Sequence, residues 1–146
     1  MILLLNEWII HDLKGDNGDA KQEEAILFLL KLIKSDDKII VRVGSPWWEK
    51  AYKLMKESDP RVKYGSSKLH SLLRDSIKCE LVEDSAIRQL PSEISRDCPE
   101  DDIYLIETLY VYPDSILLST DNTLIEFVKA NLQAKVNHRD NFINTY

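Results

Sequence analysis

Ser115-Ile116-Leu117-Leu118-Ser119-Thr120-Asp121 decides the reading of this chain. Three apolar residues, Ile116 to Leu118, end abruptly in two hydroxyls and a carboxylate. A short apolar run bounded by turn residues, here Pro113-Asp114 before it and Asp121-Asn122 after it, reads as a strand buried on both faces. Such strands belong to parallel sheets, and open parallel sheets bind ligands beyond their carboxyl ends. Asp121 is therefore expected at a ligand-binding edge.

Other segments repeat the pattern. Met1 to Leu5 is an apolar run that stops at Asn6-Glu7. Lys38 to Val43 is short and β-branched, and Gly44 breaks it. Ile77 to Val82 and Ala134 to Asn137 complete five expected strands. Helical spacing of apolar residues fills the intervals. Trp8 to Leu13 forms a short helical turn, Ala20 to Ser35 a long helix capped by Asp19, and Ser45-Pro46 opens the helix carrying Trp47 and Trp48. Arg61 to Gly65 reads as irregular and Ser66 to Asp75 as helix. Further helices are expected over Ser85 to Leu90, from Pro91 to Ser95, over Ile103 to Val111 and over Thr123 to Leu132. Phe142-Ile143 lies in a docked tail. Strands alternating with helices predict a single α/β domain over residues 1–146, a three-layer α/β/α sandwich around a central, mainly parallel five-stranded sheet.

Composition narrows the classes. A hydrophobic content of 44% with only four glycines and five prolines suits a packed domain and not a disordered chain. Mean hydropathy is −0.28, and no apolar run approaches a membrane span or a signal peptide. Cys79 and Cys98 have no metal-ligand or redox spacing, so free thiols and a cytoplasmic setting are expected. His11, His70 and His138 fit no metal spacing either. The net charge is −6, unevenly spread. Between Arg42 and Lys78 nine Lys/Arg face four acids, a local charge of +5 set in a remainder of −11. The basic middle reads as a solvated helical surface or as a phosphate-contacting face.

Acids arrive at the expected ligand edge from four places: Asn6-Glu7 after the first strand, Glu49 one turn into the helix after the second, Asp101-Asp102 before the long helix, and Asp121 after the fourth strand. Like charges gathered at one edge repel unless a cation joins them. Hard cations such as Mg²⁺ or Mn²⁺ take oxygen ligands, and they suit phosphodiester hydrolysis. Each acid also has a plainer reading, as a helix cap or a charge favoured by a helix dipole. Trp47 and Trp48 read as packing residues first, and as base-stacking platforms only if exposed.

On the segments MILLLNEWIIHDL, SPWWEKAYKL, CPEDDIYLIETLY and ILLSTDNTLIEF, the chain resembles the PIN domain family of small metal-dependent nucleases, over nearly its whole length. The resemblance implies Glu49, Asp101 and Asp121 as catalytic and metal-holding residues, with Asp102 as the alternative to Asp101. Asn6 stands where the family has its first Asp, and Glu7 is the neighbouring substitute. It implies Mg²⁺ or Mn²⁺ as cofactor and RNA as substrate, with Thr120, Lys50, Lys53 and Arg42 as substrate-binding candidates. A toxin–antitoxin role, an antitoxin partner and a homodimer are implied in the same way. The alternative is an inactive PIN-like module for nucleic-acid or protein binding, because asparagine is a weaker ligand than a carboxylate. A receiver-like fold fits less well, since no acid pair follows the first strand.

Overall fold

A computed structural model describes all 146 residues. Strands β1 (Ile2–Leu5), β2 (Lys38–Arg42), β3 (Cys79–Val82), β4 (Ile116–Ser119) and β5 (Lys135–His138) form one sheet in the order β3-β2-β1-β4-β5. Every neighbouring pair is parallel, with Leu4 opposite Leu117 and Ile40 opposite Glu80. The eight helices are α1 (Trp8–Lys14), α2 (Asp19–Lys34), α3 (Pro46–Leu54), α4 (Pro60–Arg74), α5 (Ser92–Ser95), α6 (Ile103–Val111), α7 (Asn122–Asn131) and α8 (Arg139–Thr145). They flank the sheet as an α/β/α sandwich, with α1 to α4 packed on one another.

The apolar pattern explains the strand order. β1 and β4 are unbroken apolar runs and lie in the middle of the sheet, covered on both faces. β3 and β5 alternate or carry polar residues, and they form the two edges. The first three strands run outward from β1 on one side, and β4 and β5 on the other. The order therefore reverses between β1 and β4, which makes that junction the topological switch point.

Several boundaries differ from the expectation, each for a local reason. Asp59 accepts hydrogen bonds from the backbone N–H groups of Arg61 and Val62, and Pro60 takes the first helical position. The helix expected from Ser66 thus begins at Pro60, and Arg61 to Gly65 is helical. Asp19 does not cap α2. Gly18, at φ +93°, precedes the helix and Asp19 is its first residue. The helix expected over Ser85 to Leu90 reduces to a 3₁₀ turn at Asp84–Ala86. β3 starts at Cys79, because Asp75 ties down the N–H of Ile77 in a turn. The tail containing Phe142 is a helix, and Phe142 packs against Phe28 of α2.

Gly65 shows how tightly α4 meets α1 and α2. A Cβ at this position would stand 2.8 Å from Leu13 Cδ2 and 3.3 Å from Ile26 Cγ1. Leu13 is fully buried and has no room to yield. Gly65→Ala gains about 1 kcal/mol of helix propensity and meets an overpacking cost of about 1–3 kcal/mol. The expected net result is a destabilisation on the order of 1 kcal/mol, read as a lower urea midpoint at unchanged slope. A midpoint that rises would show that α4 can shift away from Leu13.

The last helix is held by charge. Arg139 is only 1% exposed and pairs with Asp12 of α1 at 3.0 Å, Glu24 of α2 at 2.5 Å and Asp140 at 2.8 Å. Its guanidinium also lies over the Trp8 ring at 5.3 Å. Burial opposes the charge of Arg139, but Glu24, Asp140 and Asp12 outweigh it and raise its pKa. The Asn17 amide donates to the other oxygen of Asp12 at 2.7 Å.

Candidate functional site: a carboxylate cleft at the switch point

An open cleft of about 450 Å³ lies beyond the carboxyl ends of β1 and β4, where the strand order reverses. Asn6, Glu7, Asp101, Asp102, Thr120 and Asp121 line it, together with Trp8, His11, Asp16 and Asn17. Three of the four sequence regions expected to supply acids therefore meet here.

The strand ends are tied together before any ligand is considered. The Asn6 side-chain amide donates to Ser119 Oγ at 3.0 Å, and Asn6 Oδ1 accepts from the Glu7 N–H at 2.7 Å. Ser119 Oγ also accepts from the Asp121 N–H at 3.0 Å. The Trp8 indole donates to the Leu118 carbonyl at 2.8 Å and fixes α1 against β4. Asn6 is thus a buried cross-link between β1 and β4, and both ends of its amide are already engaged.

Asp121 caps α7, its Oδ1 accepting from the N–H groups of Thr123 and Leu124 at 2.9 and 3.2 Å. The capping reading and the cleft reading both hold for this residue, because its second oxygen makes no hydrogen bond. Asp102 behaves differently. It occupies the cap position of α6 yet makes no side-chain cap bond. Its carboxyl is half-buried, and burial followed by the charges of Asp121, Glu7 and Asp101 pushes its pKa up to about 6. Of the adjacent pair, Asp102 is the more embedded, although the apolar register favoured Asp101. Beside it the Tyr104 hydroxyl is buried with no hydrogen-bond partner. Burial, then the charges of Glu7 and Asp102, hold that phenol protonated well above its usual range.

The raised pKa of Asp102 has a signed consequence. An acid whose folded pKa exceeds its unfolded value of 3.8 destabilises the fold once ionised. The loss develops as pH rises from about 4 to about 6 and persists above. Asp102→Asn is therefore expected to melt higher than the parent at pH 7 and to match it near pH 4. Equal melting temperatures at pH 7 would show that the neighbouring acids do not press on this carboxylate.

Two expected site residues stand elsewhere. Glu49 is exposed on α3 and does not line the cleft. Successive residues on a helix are turned by about 100°, and the phase of α3, set by the Ser45 cap and Pro46, directs Lys50 inward instead. Lys50 Nζ meets Glu7 Oε2 at 2.6 Å. Arg42 is not free to hold a phosphate, for it pairs with Glu107 at 2.9 Å and Asp84 at 3.1 Å. Lys53 is exposed and lines a neighbouring groove with Lys50, Lys14 and His11. Trp47 is buried, and Trp48 packs on Tyr52 with ring centres 4.8 Å apart, so neither is an open stacking platform.

The cleft also contains residues that the sequence did not single out. His11 lies 3.0 Å from Asp16 and 3.9 Å from Glu7. It sits one helical turn after Glu7, the only sequence signal available. The other histidines have local roles: His70 is buried against the Ala51 carbonyl, and His138 caps α8.

No group of three or more His, Cys, Asp or Glu side chains is close enough to share one metal ion. The donor set therefore does not form a closed protein cage.

Fold and cleft together define an all-parallel α/β domain with a carboxylate-lined site at its switch point. No protein-family model, curated protein or solved structure matches the chain.

Proposed function

We propose that this protein is a divalent-cation-dependent endoribonuclease of PIN-like type. The observation that supports this reading most is the convergence of Glu7, Asp101, Asp102 and Asp121 on one open cleft at the switch point. An acidic cleft by itself repels a polyanion, and RNA cleavage there requires a cation between the two.

In this reading one or two of Asp102, Asp121 and Glu7 would hold a hydrated Mg²⁺ or Mn²⁺, with waters and substrate phosphate completing its shell and Asp101 at the rim. The chemistry such a cation would supply is polarisation of a phosphoryl oxygen. The chain's own residues position the substrate. Asp121 is fixed by its two cap bonds, so its free oxygen points from a rigid helix end. The exposed Thr120 hydroxyl offers a hydrogen bond to a water or a phosphate oxygen. Lys53 and Lys14 line the adjoining groove with Glu57 and, in this reading, would receive the flanking backbone phosphates. The resemblance adds an antitoxin partner, a homodimer and a cytoplasmic setting. The structure itself contributes that no helix is long and apolar enough to cross a membrane.

A second reading, a non-catalytic PIN-like binding module, is favoured by two observations. Asn6 is committed to structural hydrogen bonds, and Lys50 already neutralises Glu7. Incubating a mixed RNA pool with Mg²⁺ or Mn²⁺, with and without chelator, separates the two readings. Cleavage that chelator abolishes and Asp121→Asn suppresses supports the nuclease. Cleavage indifferent to both overturns the cation mechanism, and intact RNA with retained binding supports the module.

A further inference from the structure

Two polar groups of the interior line the same small space and find no partner in the chain. The indole Nε1 of Trp47 and the hydroxyl of Tyr104 are sealed from solvent, and neither makes a hydrogen bond to another residue. Trp47 is 2% exposed and Tyr104 7%. Trp47 is the second residue of α3 and Tyr104 the second of α6, and both line a cavity at the carboxyl ends of β1 and β2. Leu4, Ile40 and Leu105 make much of its wall apolar, and the buried Ser45 adds one hydroxyl. The Ser45 oxygen accepts from the Trp48 N–H and keeps its own proton to donate. The Glu7 carboxylate acts on the Tyr104 phenol through its charge but makes no hydrogen bond to it.

We infer that this cavity is a binding site for one water molecule, which joins Trp47 of α3 to Tyr104 of α6. Size and chemistry agree on that ligand. The cavity leaves the centre of a water-sized sphere about 10 Å³ in which to move. A buried water needs roughly one such sphere of space and roughly two to four polar partners. The indole N–H, the phenol and the Ser45 hydroxyl supply them. A larger solute is excluded by volume. A metal cation gains nothing from the indole, which only donates. An anion would meet the charges of Glu7 and Asp102, which already act on the phenol. The water accepts from the indole and exchanges a hydrogen bond with the phenol, so it ties two helix starts together. One of those helices presents Lys50 to Glu7, and the other follows Asp102. This water needs neither a cation in the cleft nor RNA.

Removing the phenol hydroxyl separates a bridged group from an orphaned one by the sign of the effect. A hydroxyl bonded to a held water loses that bond in Tyr104→Phe, and the folding equilibrium constant is expected to fall about fivefold, the scale of one hydrogen bond. A hydroxyl with no partner carries only its desolvation cost, and its removal leaves stability equal or higher. Urea unfolding of the full chain and the variant reads the difference. A crystal structure of the full chain is expected to show one ordered water within hydrogen-bonding distance of both Trp47 Nε1 and Tyr104 Oη. Equal or greater stability of Tyr104→Phe overturns the inference, as does a cavity without ordered density between the two atoms. A phenol seen bonded directly to Glu7, with no water beside it, overturns it too and assigns the loss in Tyr104→Phe to that bond.

Discussion

Arg139→Met is expected to destabilise the protein by about 3–5 kcal/mol, the cost of leaving a buried charge without its partner. Asp12 is 3% exposed and would face the methionine with one oxygen still held by Asn17 and the other unpaired. Against a total stability of about 5–15 kcal/mol this is a large fraction. At this chain length it corresponds to a fall in melting temperature of roughly 10 °C or more. Thermal melts at pH 7 would show it. The double variant Asp12→Asn with Arg139→Met removes both charges and is expected to recover much of the loss, because the penalty lies in the orphaned ion and not in the missing pair. A single variant as stable as the parent would mean that water reaches Asp12. Glu24 and Asp140 are about half exposed, so their substitution is expected to matter far less.

Asp121→Asn is expected to lower RNA cleavage by at least about a hundredfold, the upper end of what even outer-shell partners of metal ligands cost. The variant is chosen because asparagine caps a helix as well as aspartate does. The bonds to Thr123 and Leu124 can persist while the charge is lost, so the melting temperature is expected to stay near that of the parent. Cleavage of a mixed RNA pool under Mg²⁺ or Mn²⁺ is the measurement, with a chelator-treated sample beside it. Loss of activity without loss of stability separates a role in the chemistry from a role in the α7 cap. Unchanged cleavage would remove Asp121 from the site.

Much of the fold was legible because burial leaves a one-dimensional trace. Unbroken runs such as Ile2 to Leu5 and Ile116 to Leu118 mark strands covered on both faces, and the structure places them at the centre of the sheet. Pro46 after Ser45 marked a helix start correctly. The same signal at Asp59-Pro60 opens α4 where Arg61 to Gly65 reads as irregular, because a proline after polar residues terminates one helix and opens another equally well. The segment Ser85 to Leu90 has helical spacing but few buried contacts to stabilise it, and it remains mostly irregular.

The site was legible in part, for a related reason. Asp121, the Asp101-Asp102 pair and Glu7 follow from strand and helix ends, and such ends reach the same edge of a parallel sheet by topology alone. The rotation of a side chain about its helix does not follow. Glu49 and Lys50 are neighbours in sequence, yet only Lys50 reaches Glu7, since one residue turns the helix by about 100°. Arg42 ends β2 one residue short of the expected Val43, and Glu107 and Asp84 arrive from distant segments and engage it.

Sequence by itself determined the class of fold and most of the acids delivered to the carboxyl edge of the sheet, because apolar periodicity and turn residues are local properties of the chain. Tertiary structure decided which charges meet. Asn6 with Ser119, Glu7 with Lys50 and Asp12 with Arg139 are separated by 113, 43 and 127 residues. Charge pairing acts over a few ångströms in space, and packing brings those residues together across the sheet ends, so no local pattern in the chain announces the pairs.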